Sequence, residues 1–264
     1  MIRSALERLA RGRAIGRRLP RDVGGGRLFV SPDARLAFLL PGERSFDEPL
    51  LDRARALLKP GDKVWDIGAN VGVFAFAAAG RAGAAGRVLA VEPDPWLFAL
   101  LQRSRAANRG GMLAPVELVC AAVADRAGVA RLQIATRGRA ANALVGFGSS
   151  QMGGVREELL VPTVTLDELL GATFAPDLVK VDVEGAELLV LRGAGRLLAE
   201  VRPALLLEVA ESNAGAVGEL LAAARYRLFD AAEPQKGFPP VARPVWDTLA
   251  LPEERAAAWL ARGG

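Results

Sequence analysis

A turn containing two glycines joins an apolar strand to a helix at residues 63–74, and it constrains the fold more than any other segment. Gly68 and Gly72 lack the side chains that would obstruct a ligand lying against the backbone, and the following helix begins with free N–H groups. Turns of this kind bind nucleotide cofactors in α/β folds. Dehydrogenases that bind dinucleotides need glycines where this chain has Asn70 and Val73, so their fingerprint fails here.

Two acids end neighbouring strands of this predicted fold. Asp66 ends the strand before the turn, where it would repel a pyrophosphate and attract the ammonium and sulfonium groups of S-adenosylmethionine. Glu92 ends the next strand, 20 residues after Gly72, which is the spacing expected of a ribose-binding acid. The predicted cofactor-binding residues are therefore Asp66, Gly68, Asn70, Gly72 and Glu92.

Two motifs make the sequence similar to the FkbM family of S-adenosylmethionine-dependent methyltransferases over roughly residues 27–251. The first is Asp66-Ile-Gly-Ala-Asn-Val-Gly72 with the later Val-Glu92-Pro-Asp, which many methyltransferases share. The second is Val179-Lys-Val-Asp-Val-Glu-Gly-Ala-Glu-Leu-Leu-Val-Leu-Arg-Gly193, which is typical of this family. The resemblance implies a Rossmann-like class I methyltransferase fold with a mostly parallel, seven-stranded sheet. Its last two strands would form a reversed hairpin, for which residues 226–230 and 244–251 are suitable.

Apolar runs alternate with helical patterns through most of the chain. Such alternation predicts a doubly wound α/β fold, a parallel sheet with helices on both faces, and places binding sites at the carboxyl ends of the strands. The predicted strands cover residues 63–67, 87–91, 116–123, 178–182 and 204–208, and the predicted helices cover residues 46–58, 95–108, 187–198 and 213–224.

The sequence predicts one main domain with distinct segments around it. Residues 1–26 are expected to form a basic arm with a glycine hinge, and residues 27–264 to form a single methyltransferase domain. That domain begins with a hairpin and a helix over residues 27–62, the hairpin covering residues 27–40. Residues 137–154 hold seven glycines or serines and form a loop that either closes over substrate or only connects strands.

Positive charge is concentrated at the N-terminus. The chain has a formal net charge of +4, and residues 1–21 hold seven arginines against one glutamate. Ile2, Leu6 and Leu9 would share one helical face, so this segment either contacts an anionic membrane weakly or stays solvated. Nucleic-acid binding is not expected, because the body has no basic stripe with interleaved aromatic residues.

Compartment and redox state follow from two features of the composition. Cys120 is the single cysteine, so no internal disulfide is possible, and its apolar surroundings predict a buried, inert thiol. No run approaches 18 apolar residues, and the arginine-rich start does not match a secretory signal. We therefore expect a cytoplasmic protein.

Methyl transfer to a hydroxyl requires a group that removes its proton, and the chain contains no histidine. The candidate catalytic residues end the fourth and fifth predicted strands: Asp182, Glu184, Glu208 and Lys180. Lys180 shares a strand face with Asp182, and its charge predicts a pair with Asp182 or Glu208. Glu187 begins a helix and is expected either to join the site or only to complement the helix dipole.

The sequence leaves the mechanism and the function partly open. FkbM-like chains often carry a histidine after the acid of the fifth strand, where this chain has Val209, Ala210 and Glu211. Three carboxylates could hold magnesium, but Lys180 already offers a compensating charge, so no metal is predicted. The resemblance implies methylation of a hydroxyl on a small molecule, sugar or lipid-linked glycan. The alternatives are a nicotinamide-dependent oxidoreductase and a non-catalytic cofactor-binding module.

Overall fold

The computed structural model describes residues 11–148 and 152–263. The predicted amphipathic helix around Ile2, Leu6 and Leu9 lies outside this part of the chain. None of the helices in the described residues is long and apolar enough to cross a membrane.

The described chain contains strands in three sheets and helices that connect them. The strands are β1 (Ile15–Arg18), β2 (Arg27–Val30), β3 (Lys63–Ile67), β4 (Arg87–Val91), β5 (Val116–Val119), β6 (Ala122–Val123), β7 (Gly128–Ala135), β8 (Ala143–Leu144), β9 (Val155–Val164), β10 (Leu178–Val181), β11 (Ala204–Glu208), β12 (Tyr226–Asp230) and β13 (Asp247–Pro252). The α-helices are α1 (Glu48–Leu57), α2 (Val73–Ala82), α3 (Pro95–Ala107), α4 (Leu166–Ala172), α5 (Glu187–Arg192), α6 (Ala214–Ala223) and α7 (Ala256–Leu260).

The central sheet has seven strands in the order β12-β13-β11-β10-β3-β4-β5. The five strands from β11 to β5 are parallel, whereas β13 runs antiparallel to both of its neighbours, β11 and β12. The sheet is therefore mixed, with β13 as its one reversed strand. The prediction of a mostly parallel sheet is confirmed with this exception.

Both faces of the sheet are covered by helices. Within β3, Val64 packs into one apolar cluster, which includes residues of α1 and α2, while Trp65 and Ile67 pack into a second cluster with residues of α4, α5 and α6. Strands that are buried on both faces have continuous apolar sequences, and for this reason they could be predicted from the sequence. The exception is the run at 116–123, which breaks after β5, so that Cys120 is half-buried rather than buried.

The N-terminal segment departs from the prediction. Arg27–Val30 does not form a hairpin with residues 35–40, because β2 pairs antiparallel with β1, and Leu36–Leu39 is a 3-10 helix. The prediction of a glycine hinge is also wrong at Gly24. A Cβ on Gly24 would lie 2.4 Å from the Cα of Gly80 in α2, so the segment packs tightly against that helix. The second half of the basic arm predicted for residues 1–26 therefore packs against the folded domain.

A second sheet lies beside the central one, with four strands in the order β6-β9-β7-β8. It contains β7 and β9, the strands on either side of the predicted glycine-rich loop. Within the loop, Arg139–Ala141 forms a 3-10 helix and β8 pairs with β7. Helix α5 also ends earlier than predicted, at Arg192. A Cβ on Gly193 would lie 2.3 Å from the carbonyl oxygen of Ala124, so the chain passes close to the second sheet there.

Candidate functional site

The glycine turn between β3 and α2 is shaped by contacts within the protein. Gly68 has a φ of +78°, and a Cβ there would lie 1.8 Å from the carbonyl oxygen of Asp182. Gly72 has a φ of +89°, and a Cβ there would lie 2.5 Å from the side chain of Leu101. The glycines thus allow other parts of the chain to approach, which corrects the view that they chiefly clear space for a ligand. Helix α2 begins at Val73, directly after Gly72.

Glu92 holds this turn from the end of β4. Its Oε2 accepts a hydrogen bond from the backbone N–H of Asn70 at 2.7 Å, and its Oε1 accepts one from the N–H of Asp94 at 2.9 Å. Burial raises the pKa of Glu92 to about 8. A carboxylate has about four acceptor positions, so two remain for other donors.

Asn70, which was predicted to bind the cofactor, also has a role within the turn. It adopts a φ of +54°, a left-handed conformation that asparagine tolerates better than most residues. Its Oδ1 accepts a hydrogen bond from the N–H of Val71 at 2.8 Å, and its own N–H is bonded to Glu92. Both groups therefore stabilise the turn.

A narrow cavity, here called the cofactor cavity, opens beside Glu92. Its walls are mostly apolar and come from the turn, from the strand ends and from the second sheet: Ile67, Val91, Pro93, Ala122, Val123, Leu132 and Leu144. A buried carboxylate with spare acceptor positions next to apolar walls suits a ligand that carries a ribose and a planar base. The residues present therefore fit S-adenosylmethionine.

Part of the predicted glycine-rich loop covers the cofactor cavity. Arg139 donates from Nη1 to Oδ2 of Asp94, and Asn142 donates from Nδ2 to the same oxygen at 2.8 Å. Arg139 also bonds Asp33 through Nε at 2.9 Å, and Arg156 adds two bonds of 3.1 Å to that carboxylate. Sequence reasoning missed this network because its members are far apart in the chain. Whether the segment opens and closes over substrate remains a prediction.

Lys180 organises the acids at the ends of the central strands. Its Nζ lies 3.0 Å from Oδ2 of Asp182 and 3.5 Å from Oδ1 of Asp66, so it pairs with Asp182 as predicted and with Asp66 as well. Burial opposes its charge, but Asp182, Asp66 and Glu208 outweigh that effect and raise the pKa of Lys180. Lys180 is therefore a buried cation held by carboxylates.

Asp66 is completely buried, and neither of its carboxylate oxygens has a hydrogen-bond partner among the described residues. Burial raises its pKa, while the Lys180 ammonium opposes that rise. The carboxylate of Asp66 therefore pairs with Lys180. Asp66 was expected to attract the ligand directly, but in the structure it supports the lysine.

Glu184 and Glu208 differ from Asp182 because no cation lies within salt-bridge distance of either one in the described residues. Burial and the neighbouring charge of Asp182 raise the pKa of Glu184 to about 7 and that of Glu208 to about 8. Glu184 also has a φ of +51°, a conformation that costs energy for a residue other than glycine and that is common at functional sites.

Glu187 lies next to these acids but serves the backbone. Its Oε1 accepts a hydrogen bond from the N–H of Gly185 at 2.7 Å, and its Oε2 accepts one from Nδ2 of Asn213 at 2.8 Å. It is buried, and it links the turn before α5 to the start of α6. The geometry therefore favours the structural role over the catalytic one.

A large open cleft of about 650 Å³ adjoins the cofactor cavity. The two share Gly68, Asn70, Asp182 and Glu184, so the acids stand at their junction. Sequence reasoning missed the opposite wall of the cleft, to which α1 and the start of β13 contribute. There Arg53 donates to Oδ2 of Asp247 at 2.6 Å, and Trp246 is 52% exposed.

Asp247 stands opposite Glu208 in the antiparallel pair of β13 and β11. This register brings a second carboxylate beside the end of β11, and Arg53 compensates the negative charge of Asp247. Within residues 11–148 and 152–263, no group of three or more His, Cys, Asp or Glu residues stands close enough together to hold a metal ion.

The family model of the FkbM methyltransferase domain matches residues 66–233, which is more than half of the chain. The protein belongs to the FkbM methyltransferase family. The matched region begins at Asp66 and includes Glu92, the acids that follow β10 and the acid that ends β11. Its cofactor is S-adenosylmethionine. No match was found among curated proteins.

Three solved structures with a similar fold are distant from this chain in sequence. A methyltransferase FkbM from Methylobacillus flagellatus has a TM-score of 0.48 and 18% identity, over 72% of this chain and 43% of that protein. This chain thus spans less than half of that relative. A precorrin-6y C5,15-methyltransferase from Geobacter metallireducens has a TM-score of 0.44 and 16% identity, over 76% of this chain and 86% of that one. Aeropyrum pernix fibrillarin with bound S-adenosyl-L-methionine has a TM-score of 0.43 and 14% identity, over 92% of this chain and 85% of that one.

Proposed function

We propose that the protein is an S-adenosylmethionine-dependent methyltransferase that methylates a hydroxyl oxygen of a small molecule, a sugar or a lipid-linked glycan. The observation that carries this proposal is the position of Asp182 and Glu184. Both line the cofactor cavity and the large cleft, so they stand between a place for the methyl donor and a place for an acceptor. The choice of oxygen is supported by the family and by the carboxylates, which accept hydrogen bonds from hydroxyl groups.

Each side of the junction has its own task. S-adenosylmethionine supplies an electrophilic methyl carbon on a sulfonium when it is bound. Glu92 offers two acceptor positions to the ribose hydroxyls, and the turn that it holds sets the floor of the cavity. Asp66 and Lys180 line the large cleft, and Lys180 bridges Asp66 and Asp182. The acceptor enters by the large cleft, between the strand ends and the wall that contains Arg53.

The acceptor proton passes to a carboxylate that lines the large cleft. Asp182 is held in place by its salt bridge with Lys180. Glu184 and Glu208, with pKa values of about 7 and 8, titrate near neutral pH, where general bases are most effective. The proposal therefore assigns proton removal to Glu184 or Glu208, and positioning to Asp182.

Calorimetry tests the cofactor side of the proposal. S-adenosylmethionine and its demethylated product should bind, whereas NAD and NADP should not. Binding of a nicotinamide dinucleotide in place of S-adenosylmethionine would contradict it.

Transfer of a labelled methyl group to a panel of polyhydroxylated acceptors then tests the reaction. The product should be an ether, which survives alkali, whereas a methyl ester is hydrolysed. An alkali-labile product would reject hydroxyl methylation while leaving the methyltransferase assignment intact.

A further inference from the structure

One surface of the protein combines exposed arginines with exposed leucines. We define the arginine–leucine face as Arg18, Arg27 and Arg103 together with Leu39 and Leu40. Arg18 on β1 stands opposite Arg27 on β2, so their side chains leave the two-stranded sheet on the same side. The guanidinium groups of Arg27 and Arg103 lie 5.6 and 4.2 Å from the ring centre of Phe29, which brings α3 into the same surface.

The strand and the helix are joined rigidly. The N–H of Phe29 donates to Oγ of Ser104 at 2.8 Å, and Asn108 bonds both the N–H and the carbonyl oxygen of Arg27, at 2.9 and 2.7 Å. These bonds occupy the outer edge of β2. The arginines of β2 and α3 are therefore carried by one fixed platform.

The two leucines are attached to the same platform. Arg17 of β1 donates from Nη2 to the carbonyl oxygen of Phe38 at 2.7 Å, immediately before the leucines. A shallow depression lined by Gly16, Arg17, Arg18, Arg27 and Gly42 joins β1 and β2 to the turn that follows them. Leu39 and Leu40 are 49% and 47% exposed, and they are consecutive.

Negative charge is missing from the elements that build this platform. Residues 11–21 and 95–116 contain no aspartate or glutamate. Within the part of the chain that the structure describes, Arg18, Arg27 and Arg103 form no salt bridge. Surface arginines are usually solvated, but a group of them beside adjacent exposed leucines has the composition of a surface that lies on anionic lipid.

We infer that the arginine–leucine face binds an anionic lipid bilayer. The arginines pair with lipid phosphates, and the leucines enter the boundary between headgroups and acyl chains. Leu36 and Phe38 of the same segment line the large cleft, so the bound protein has one rim of that cleft close to the bilayer. The inference does not depend on the proposed reaction, because it concerns a surface outside the cofactor cavity.

Vesicle flotation of the full-length protein tests this inference. Vesicles of phosphatidylcholine with phosphatidylglycerol should bind the protein, and vesicles of phosphatidylcholine alone should not. The double variant Arg18→Ser/Arg27→Ser should bind the anionic vesicles roughly thirtyfold more weakly, as expected when two basic residues leave an anionic surface. The matched control is Arg131→Ser/Arg196→Ser, which loses the same charge from side chains that are each 60% exposed elsewhere. The control should bind like the natural sequence.

The leucines are tested separately. Leu39→Ser/Leu40→Ser should lower the binding that persists at high salt, because salt screens the arginines but not apolar insertion. Melting curves should be unchanged in all variants, which shows that the fold is intact. Equal loss of binding in the two arginine pairs would overturn the inference, since binding would then depend only on net charge. Preferential binding of heparin or duplex DNA over anionic vesicles would also overturn it.

Discussion

The backbones of Gly24 and Gly80 touch. A Cβ on Gly80 would lie 2.0 Å from the carbonyl oxygen of Val23, and one on Gly24 would lie 2.4 Å from the Cα of Gly80. Leu19 and Val23, which flank this contact, are buried in the core. The segment that was predicted to be a loosely attached arm is thus part of the folded domain from β1 onward.

Gly80→Ala should destabilise the protein by about 1–3 kcal/mol, because the new methyl group meets backbone that cannot move without loss of the contact. Urea unfolding measures the change. Gly215→Ala is the control, since nothing lies within 4 Å of a Cβ there. That substitution in α6 should be neutral or stabilising by up to about 1 kcal/mol. Equal stability of the two variants would contradict the contact.

The central strands could be predicted from sequence because their burial on both faces makes each one a continuous apolar run. The partner of β2 could not be predicted in this way. Its alternating pattern is satisfied by any neighbouring strand, and the actual pairing depends on β1 and on Ser104 of α3, which is 75 residues away. The pairing is therefore a tertiary property.

The acids of the site were predicted because strand ends in α/β sheets meet at one edge. Arg53 was not, because an arginine in an amphipathic helix normally faces solvent. Only the packing of α1 over the end of β13 buries it against Asp247. The role of Asp66 could not be predicted from sequence either, since its distance from Lys180 is set by the register of β3 and β10.

At pH 9, above the pKa of about 8, Glu92→Gln should weaken S-adenosylmethionine binding about 10- to 100-fold, because hydrogen bonds to a charged group contribute about 1.5–3 kcal/mol. Calorimetry gives the affinity. Glu117→Gln is the control, as it removes an exposed carboxylate from the neighbouring strand β5. An unchanged affinity for the Glu92 variant would remove this residue from the cofactor site.

Lys180→Met should destabilise the protein by about 3–5 kcal/mol, because it leaves Asp66 buried without its cation. Adding Asp66→Asn should recover part of that loss, since the second change removes the uncompensated charge. Chemical denaturation measures both. Lys236→Met, at a side chain that is 70% exposed, should have little effect. If the double variant were no more stable than Lys180→Met, the pair would not be coupled.

Glu184→Gln/Glu208→Gln should make the protein more stable at alkaline pH. Folding raises both pKa values above the ordinary 4.5, so the stability gained from the protonated forms is lost as pH rises through about 7 and 8. At pH 9 the melting temperature of the double variant should exceed that of the natural sequence by roughly 3–6 °C. At pH 4 the difference should vanish. A difference that does not change with pH would contradict the raised pKa values.

Single-turnover rates at saturating cofactor should identify the base. Loss of a general base typically lowers the rate about 10²–10⁴-fold. Glu184→Gln or Glu208→Gln should show that loss and should abolish the acidic limb of the pH–rate profile. Asp182→Asn should lower the rate and keep the acidic limb, which should move to lower pH because the Asp182 charge no longer raises the pKa of Glu184 and Glu208. Loss of the limb in Asp182→Asn alone would reverse the assignment.

The reversed strand β13 has a consequence for how acceptor preference can diversify. An antiparallel strand begins at the edge where its parallel neighbours end, so the connection between β12 and β13 delivers Trp246 and Asp247 directly to the cleft. That connection is a surface segment, and its length and sequence can change without altering the turn that holds Glu92. Exchange of residues 231–246 between relatives is therefore a route to new acceptors that leaves the methyl donor site intact.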